Sequence, residues 1–180
     1  MKKFLEALGS QAVSPGGGSA AALTLALGIA LAEMTARINQ KRLGPTPASK
    51  ARIAYFARAR KGALRLMRLD ERAFLSVSKQ FKKDREGGAY QKCLKEAARV
   101  PFEMCGVAAN VLAKAAEEKP RTGKWLASDL AEAGILLKAA FAAGRLNVEI
   151  NLKSIRDAGY VKTKSDWLGH QDARMKAVEL

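Results

Sequence analysis

Histidine is almost missing from this chain: His170, near the C-terminus, is the only one in 180 residues. One imidazole near the C-terminus almost excludes a histidine-based metal site or a serine–histidine–aspartate triad. Cysteine is nearly as scarce. Cys93 and Cys105 are too few for a disulfide scaffold and match no zinc spacing, which points to a reducing, intracellular setting. Aromatic residues make up 6% of the chain and do not interleave regularly with basic ones, so base stacking along a single strand is not indicated. No segment alternates apolar and polar residues as a half-buried strand does. Acidic residues number 17 against 32 basic ones, a net charge of +15. That excess admits nucleic acid, a membrane surface or a polyanionic small molecule as a partner and says nothing of fold. Long apolar runs are lacking too. Ala20 to Ala32 spans 13 residues before Glu33, short of the roughly 20 that cross a bilayer. Lys2 and Lys3 are separated from it by Glu6, Gln11 and Pro15–Gly18, which is not a signal-peptide layout. The expectation is a cytoplasmic, soluble protein with one domain over residues 1–180.

What the chain does have is helix. Lys3 to Leu8 reads as a short amphipathic turn or helix. Ser19 to about Arg42 reads as a central helix with small residues on two ridges: Ala22, Ala26 and Ala30, then Ala20, Thr24, Gly28 and Ala32. Such ridges let a second helix approach closely. Gly44-Pro45-Thr46-Pro47 breaks the chain. A long helix from about Ala48 to Lys83 carries the stripe Ile53, Phe56, Arg60, Ala63, Met67, Asp70, Phe74, Val77, Phe81. A third long helix runs to about Lys119, and Pro101 within it removes a donor and frees the carbonyl of Ala97. A fourth spans about Trp125 to Leu146, and Asn147–Asn151 either extends it or leaves it. The last helix, about Lys164 to Val178, looks peripheral. Long helices with short connections make an all-α, antiparallel bundle of about five long helices with a peripheral C-terminal helix.

Chemistry concentrates in a few places. Ser14-Pro15-Gly16-Gly17-Gly18-Ser19 precedes the central helix. Its glycines permit positive φ and close approach, Ser19 suits an N-cap, and a helix N-terminus suits an anion. A plain flexible turn fits the same stretch, and it is neither a phosphate loop nor a dinucleotide fingerprint. Asp70 sits in an apolar stripe, where a carboxylate is either paired, with Arg60 or a cation on another helix, or functional. Ser128-Asp129 opens a helix, as cap and first-turn acid or as part of a site. Asn147 and Asn151 are four apart, and two amides on one face can read the edge of a heterocycle or cap a helix end. Between Met34 and Leu69 there are ten basic residues and no acidic one, Arg37 and Lys41 among them. That run is a polyanion track or a solvated face.

Taken in order, these stretches resemble the formimidoyltetrahydrofolate cyclodeaminase / methenyltetrahydrofolate cyclohydrolase family over roughly residues 1 to 158. The resemblance rests on Ser14 to Ala22, Met34-Thr35-Ala36-Arg37 with Lys41, Asp70-Glu71-Arg72-Ala73-Phe74, Val100-Pro101-Phe102-Glu103, Ser128-Asp129-Leu130 and Asn147 to Lys153. It implies a dimeric or higher all-helical enzyme acting on one-carbon tetrahydrofolates, without metal or cofactor. Catalysis falls on Asp70, with Asp129 in support. Substrate contacts fall on Gly16, Gly17, Gly18, Ser19, Arg37, Lys41, Ser128, Asn147 and Asn151, the basic run tracking a polyglutamate tail. The expected reaction is hydrolysis of 5,10-methenyltetrahydrofolate to 10-formyltetrahydrofolate. The alternatives are cyclodeamination with ammonia release, and a non-catalytic basic helical protein that binds nucleic acid or a partner. Family members often carry a Lys-Leu-Pro-Lys-like stretch where this chain has Gln80-Phe81-Lys82-Lys83.

Overall fold

In the computed structural model, which describes residues 1–180, the chain forms six α-helices and no strand. They are α1 (Lys2–Leu8), α2 (Gly17–Leu43), α3 (Pro47–Asp84), α4 (Gly88–Ala116), α5 (Ala127–Leu152) and α6 (Ala158–Ala177). α2 to α5 make a square: α2 and α4 each pack on both α3 and α5. The expected antiparallel all-α bundle is what forms. α6 begins six residues earlier than expected because Asp157 Oδ1 accepts from Tyr160 N at 2.9 Å and starts the helix in a polar stretch. It packs peripherally, with Trp167 against Phe102 at a ring separation of 4.6 Å.

Small residues set the helix spacing. A Cβ on Gly28 would lie 3.0 Å from Leu137 Cγ and 3.2 Å from the Ala133 carbonyl, so α2 and α5 meet there almost backbone to backbone. Gly144 does the same for α5 on α4, beside Cys105 and the Pro101 carbonyl. Between these contacts lie the fully buried Leu25, Ile29, Phe56, Met104, Leu112 and Phe141, each worth about 1.5–3 kcal/mol relative to exposure. α2 is long and apolar enough to resemble a membrane span, yet most of its apolar window is inside this core.

The lengths of α2 and α3 differ, and that difference opens the site. α3 starts at Thr46, whose Oγ1 accepts from Ser49 N at 3.1 Å while Ser49 Oγ accepts from Thr46 N at 2.9 Å. It then runs for 38 residues against 27 for α2, about 57 Å against about 40 Å. Gly18 of α2 lies against Asp70, so α3 beyond Asp70 outruns its partner. The apolar stripe splits at that point: Ile53, Phe56 and Ala63 are buried, whereas Phe74 and Phe81 are exposed.

Candidate active site at the open end of the bundle

A cavity of about 310 Å³ lies where α2 begins. Val13, Ser14 and Gly16 to Gly18 form one wall, α3 supplies Asp70, Glu71, Phe74 and Val77, α4 supplies Ala97, and α5 supplies Asn147, Ile150 and Asn151. Of the residues singled out in the sequence, the structure brings together Gly16, Gly17, Gly18, Asp70, Asn147 and Asn151.

The glycines act through closeness. None of Gly16, Gly17 and Gly18 has a positive φ, so of the two properties glycine permits here, only close approach is used. A Cβ on Gly18 would overlap both carboxylate oxygens of Asp70, while Gly16 has open space beside it. The helix N-terminus at Gly16 has no side-chain cap and opens on the cavity. Ser19 is not the N-cap: it is buried in the first turn, and its Oγ donates to Glu71 Oε1 at 3.3 Å.

Asp70 forms no ion pair. Burial, and after it the charge of neighbouring Glu71, pushes its pKa from 3.8 to about 6. Arg60, the expected partner, instead donates to Glu33 Oε2 at 2.9 Å, and Arg37 donates to Glu33 Oε1 at 2.6 Å. Burial of Glu33 opposes its ionisation, but the two guanidinium groups outweigh it and hold the pKa below the usual carboxylate value.

The amides are fixed by the helix that carries them. α5 continues through Leu152, so Asn147 and Asn151 share a face. Asn147 Nδ2 donates to the Ala143 carbonyl at 2.8 Å. Asn151 Nδ2 donates to the Asn147 carbonyl at 2.8 Å and to the Ala97 carbonyl at 3.3 Å. That second acceptor is the one Pro101 leaves without a helical donor. Both N–H groups of Asn151 are engaged on backbone, which leaves its Oδ1 for a ligand, whereas Asn147 keeps Oδ1 and one N–H; each Oδ1 would accept from a ring N–H or amino group.

Other expected residues lie elsewhere. Ser128 and Asp129 are at the opposite end of α5, about 27 Å along the helix from Asn147. Ser128 is not the cap either, since the N-cap position is Leu126. Arg37 and Lys41 stand near the far end of α2, about 28 Å or more from Gly18. Arg58, Lys61, Arg65 and Arg68 are exposed on the side of α3 away from Asp70. The resemblance implies these roles from motifs in chain order, and motif order does not say which end of the bundle a helix position reaches. Conversely, Glu71, Phe74, Val77 and Ile150 line the cavity without having been assigned to it. Phe74 and Val77 continue the Asp70 stripe, and Ile150 follows Asn147 by three, so the spacing already held that signal.

Comparison with known proteins converges on one group. The sequence profile described as formiminotransferase-cyclodeaminase matches residues 1–168. The formimidoyltransferase-cyclodeaminase of Sus scrofa is 31% identical over 172 residues, covering 89% of this chain and 32% of that protein. The chain thus spans about a third of the length of that relative. The methenyltetrahydrofolate cyclohydrolase of Methylorubrum extorquens is 28% identical over 180 residues, covering 91% of this chain and 84% of that protein. Among solved structures, the formiminotetrahydrofolate cyclodeaminase of Thermotoga maritima superposes with a TM-score of 0.93 at 31% identity, covering 99% of this chain and 90% of that one.

Proposed function

The chain belongs to the formiminotransferase-cyclodeaminase family, and from that premise we propose that it is a one-carbon tetrahydrofolate enzyme hydrolysing 5,10-methenyltetrahydrofolate to 10-formyltetrahydrofolate. The observation that carries this reading is Asp70: a half-buried carboxylate without a cation, in a cavity whose other polar groups are amides and a helix N-terminus. A group titrating at about 6 is poised to take and return a proton near neutral pH.

The residues divide the work as follows. Asn147 and Asn151 present Oδ1 acceptors to the pterin edge, and Phe74 and Val77 cover its apolar faces. The cationic methenyl carbon sits near the Asp70–Glu71 pair, which favours positive charge. Ionised Asp70 takes a proton from water as its oxygen attacks the bridging carbon. The C–N5 bond of the tetrahedral intermediate then breaks, N5 receives the proton from Asp70, and the hydroxyl proton leaves to solvent as the formyl C=O forms. No metal or cofactor is needed in this scheme. Asp129, Ser128, Arg37 and Lys41 have no part in it within one chain.

Cyclodeamination of 5-formimidoyltetrahydrofolate with release of ammonia is the second reading, favoured by the similarity to the Thermotoga protein. It draws on the same proton carrier. The Gln80–Lys83 departure lies past Val77, in the overhang of α3 beyond the cavity, which supports an active enzyme over a silent one. No cation lines the cavity, so this reading assigns a polyglutamate tail no contact within it. A cytoplasmic location and a homodimer complete it. The outer faces of α2 and α5 support self-association: Leu27, Ile135, Leu146 and Ile150 are exposed there, and Ile150 also borders the cavity.

The test is the loss of methenyltetrahydrofolate absorbance with and without the protein, corrected for spontaneous hydrolysis. A protein-dependent rate is expected. No rate there but ammonia release from the formimidoyl substrate selects the second reading, and silence in both assays defeats the enzyme.

A further inference from the structure

The cations of this molecule fall into two groups. Arg37, Arg52, Arg60, Arg99, Arg145 and Arg156 each meet a carboxylate. Lys50, Arg58, Lys61, Arg65, Arg68 and Arg72 are exposed, and none of them makes an ion pair or a side-chain hydrogen bond. At 100° per residue these six lie in one stripe on the solvent side of α3, extending about 33 Å along the helix. Lys79 and Lys83 continue the same stripe into the overhang. No acidic residue interrupts it: Asp70 and Glu71 are on other sides of the helix and line the cavity. Like charges three and four apart cost a helix about 0.2–0.5 kcal/mol per pair. Four such neighbouring pairs stand between Arg58 and Arg72, and none of these cations forms an ion pair within the chain.

We propose that this outer ridge of α3 is a binding surface for the phosphate backbone of single-stranded nucleic acid, separate from the folate cavity. A straight row of cations one helix wide matches a flexible strand that lies along it, with one phosphate near each turn. The ridge has no aromatic side chain, so it recognises backbone without stacking on bases, and its affinity is counterion release. A lipid surface fits less well. Between the cations the stripe offers only Ala54 and Ser76, and Leu75 is a single bulky apolar residue on its border, whereas an interfacial helix needs a row of bulky apolar residues to enter the acyl region. The folate tail does not account for it, because the stripe is on the opposite side of α3 from Asp70.

The test uses the full chain and a fluorescein-labelled oligo-dT of about 20 nucleotides, followed by anisotropy as salt is raised. With four to six phosphates engaged, log Kd against log salt should have a slope of about 3 to 4 in magnitude. The triple variant Lys50→Gln, Arg58→Gln, Lys61→Gln changes only exposed side chains and keeps good helix formers. It should lose about 2 from that slope and weaken binding at least tenfold at low salt, with its helical circular dichroism unchanged. No binding at low salt overturns the proposal. So does binding that the triple variant leaves untouched, or equal affinity for poly-L-glutamate of the same length. Capture by anionic vesicles without oligonucleotide binding would assign the ridge to membranes instead.

Discussion

Both ends of this bundle bury carboxylates, and they treat them in opposite ways. Toward the far end of α2, Glu33 lies between Arg37 and Arg60, and Glu118 is held by Arg52 and by Asn39 Nδ2 at 2.7 Å. At the end where α2 begins, Asp70 forms no ion pair, and the charge that acts on it is that of Glu71. The same functional group is therefore a fastener at one end and a titrating group at the other. Burial alone does not mark a functional acid; burial without a counter-charge does, because the cost then appears as a raised pKa rather than as a salt bridge.

Exchanging the carboxylates for amides separates the two roles. Asp70→Asn should lower turnover by on the order of 10²–10⁴-fold, as loss of a general acid–base does, while the protein stays folded. Turnover within a few-fold of the parent would make Asp70 structural. Glu118→Gln should do the reverse. It leaves Arg52, only 9% exposed, without its main partner, and should cost about 3 kcal/mol in urea unfolding. Turnover per folded molecule should not change, because Glu118 is remote from the cavity.

Gly18→Ala sharpens the contrast within the open end. The added methyl overlaps the Asp70 carboxylate, and a displacement near 1 Å costs on the order of 10² in rate. A variant that keeps its rate would show that Asp70 has room to spare. The smallest effect is on stability against pH. Asp70 is neutral in both states below pH 3.8; as pH rises from there to about 6 the unfolded chain ionises first, so stability falls and then levels. Two pKa units would carry roughly 3 kcal/mol, and solvent screening at the open mouth reduces this to about 1–2 kcal/mol. Asp70→Asn should remove that decline. Glu33, with its pKa lowered, has the opposite sign: its contribution is present above pH 4.5 and is lost as acid protonates it. Paired urea titrations of parent and variant from about pH 4 to 7 read the difference.

Much of this was legible in the sequence. Small residues at Gly28 and Gly144, the apolar stripe of α3 and the proline-free helix interiors outside Pro101 point to the bundle. The freed Ala97 carbonyl was foreseeable from Pro101, though not that Asn151 would fill it. Asp70 stood out because it broke a stripe. What local pattern did not carry was relative length. Nothing in α2 or α3 alone shows that Asp70 sits where α2 begins, nor that Ser128 and Asp129 lie a helix-length away. Ser19 looked like a cap because caps are judged from neighbours in sequence, whereas its partner, Glu71, is 52 residues on.

The central claim is that the unpaired carboxylate is the proton carrier, and the most direct measurement is the pH dependence of kcat/KM for methenyltetrahydrofolate. The parent should lose activity on acidification with a midpoint at about 6. The residual rate of Asp70→Asn should be flat through the same range. An acid limb near the ordinary carboxylate value, or one that survives in Asp70→Asn, would contradict the account.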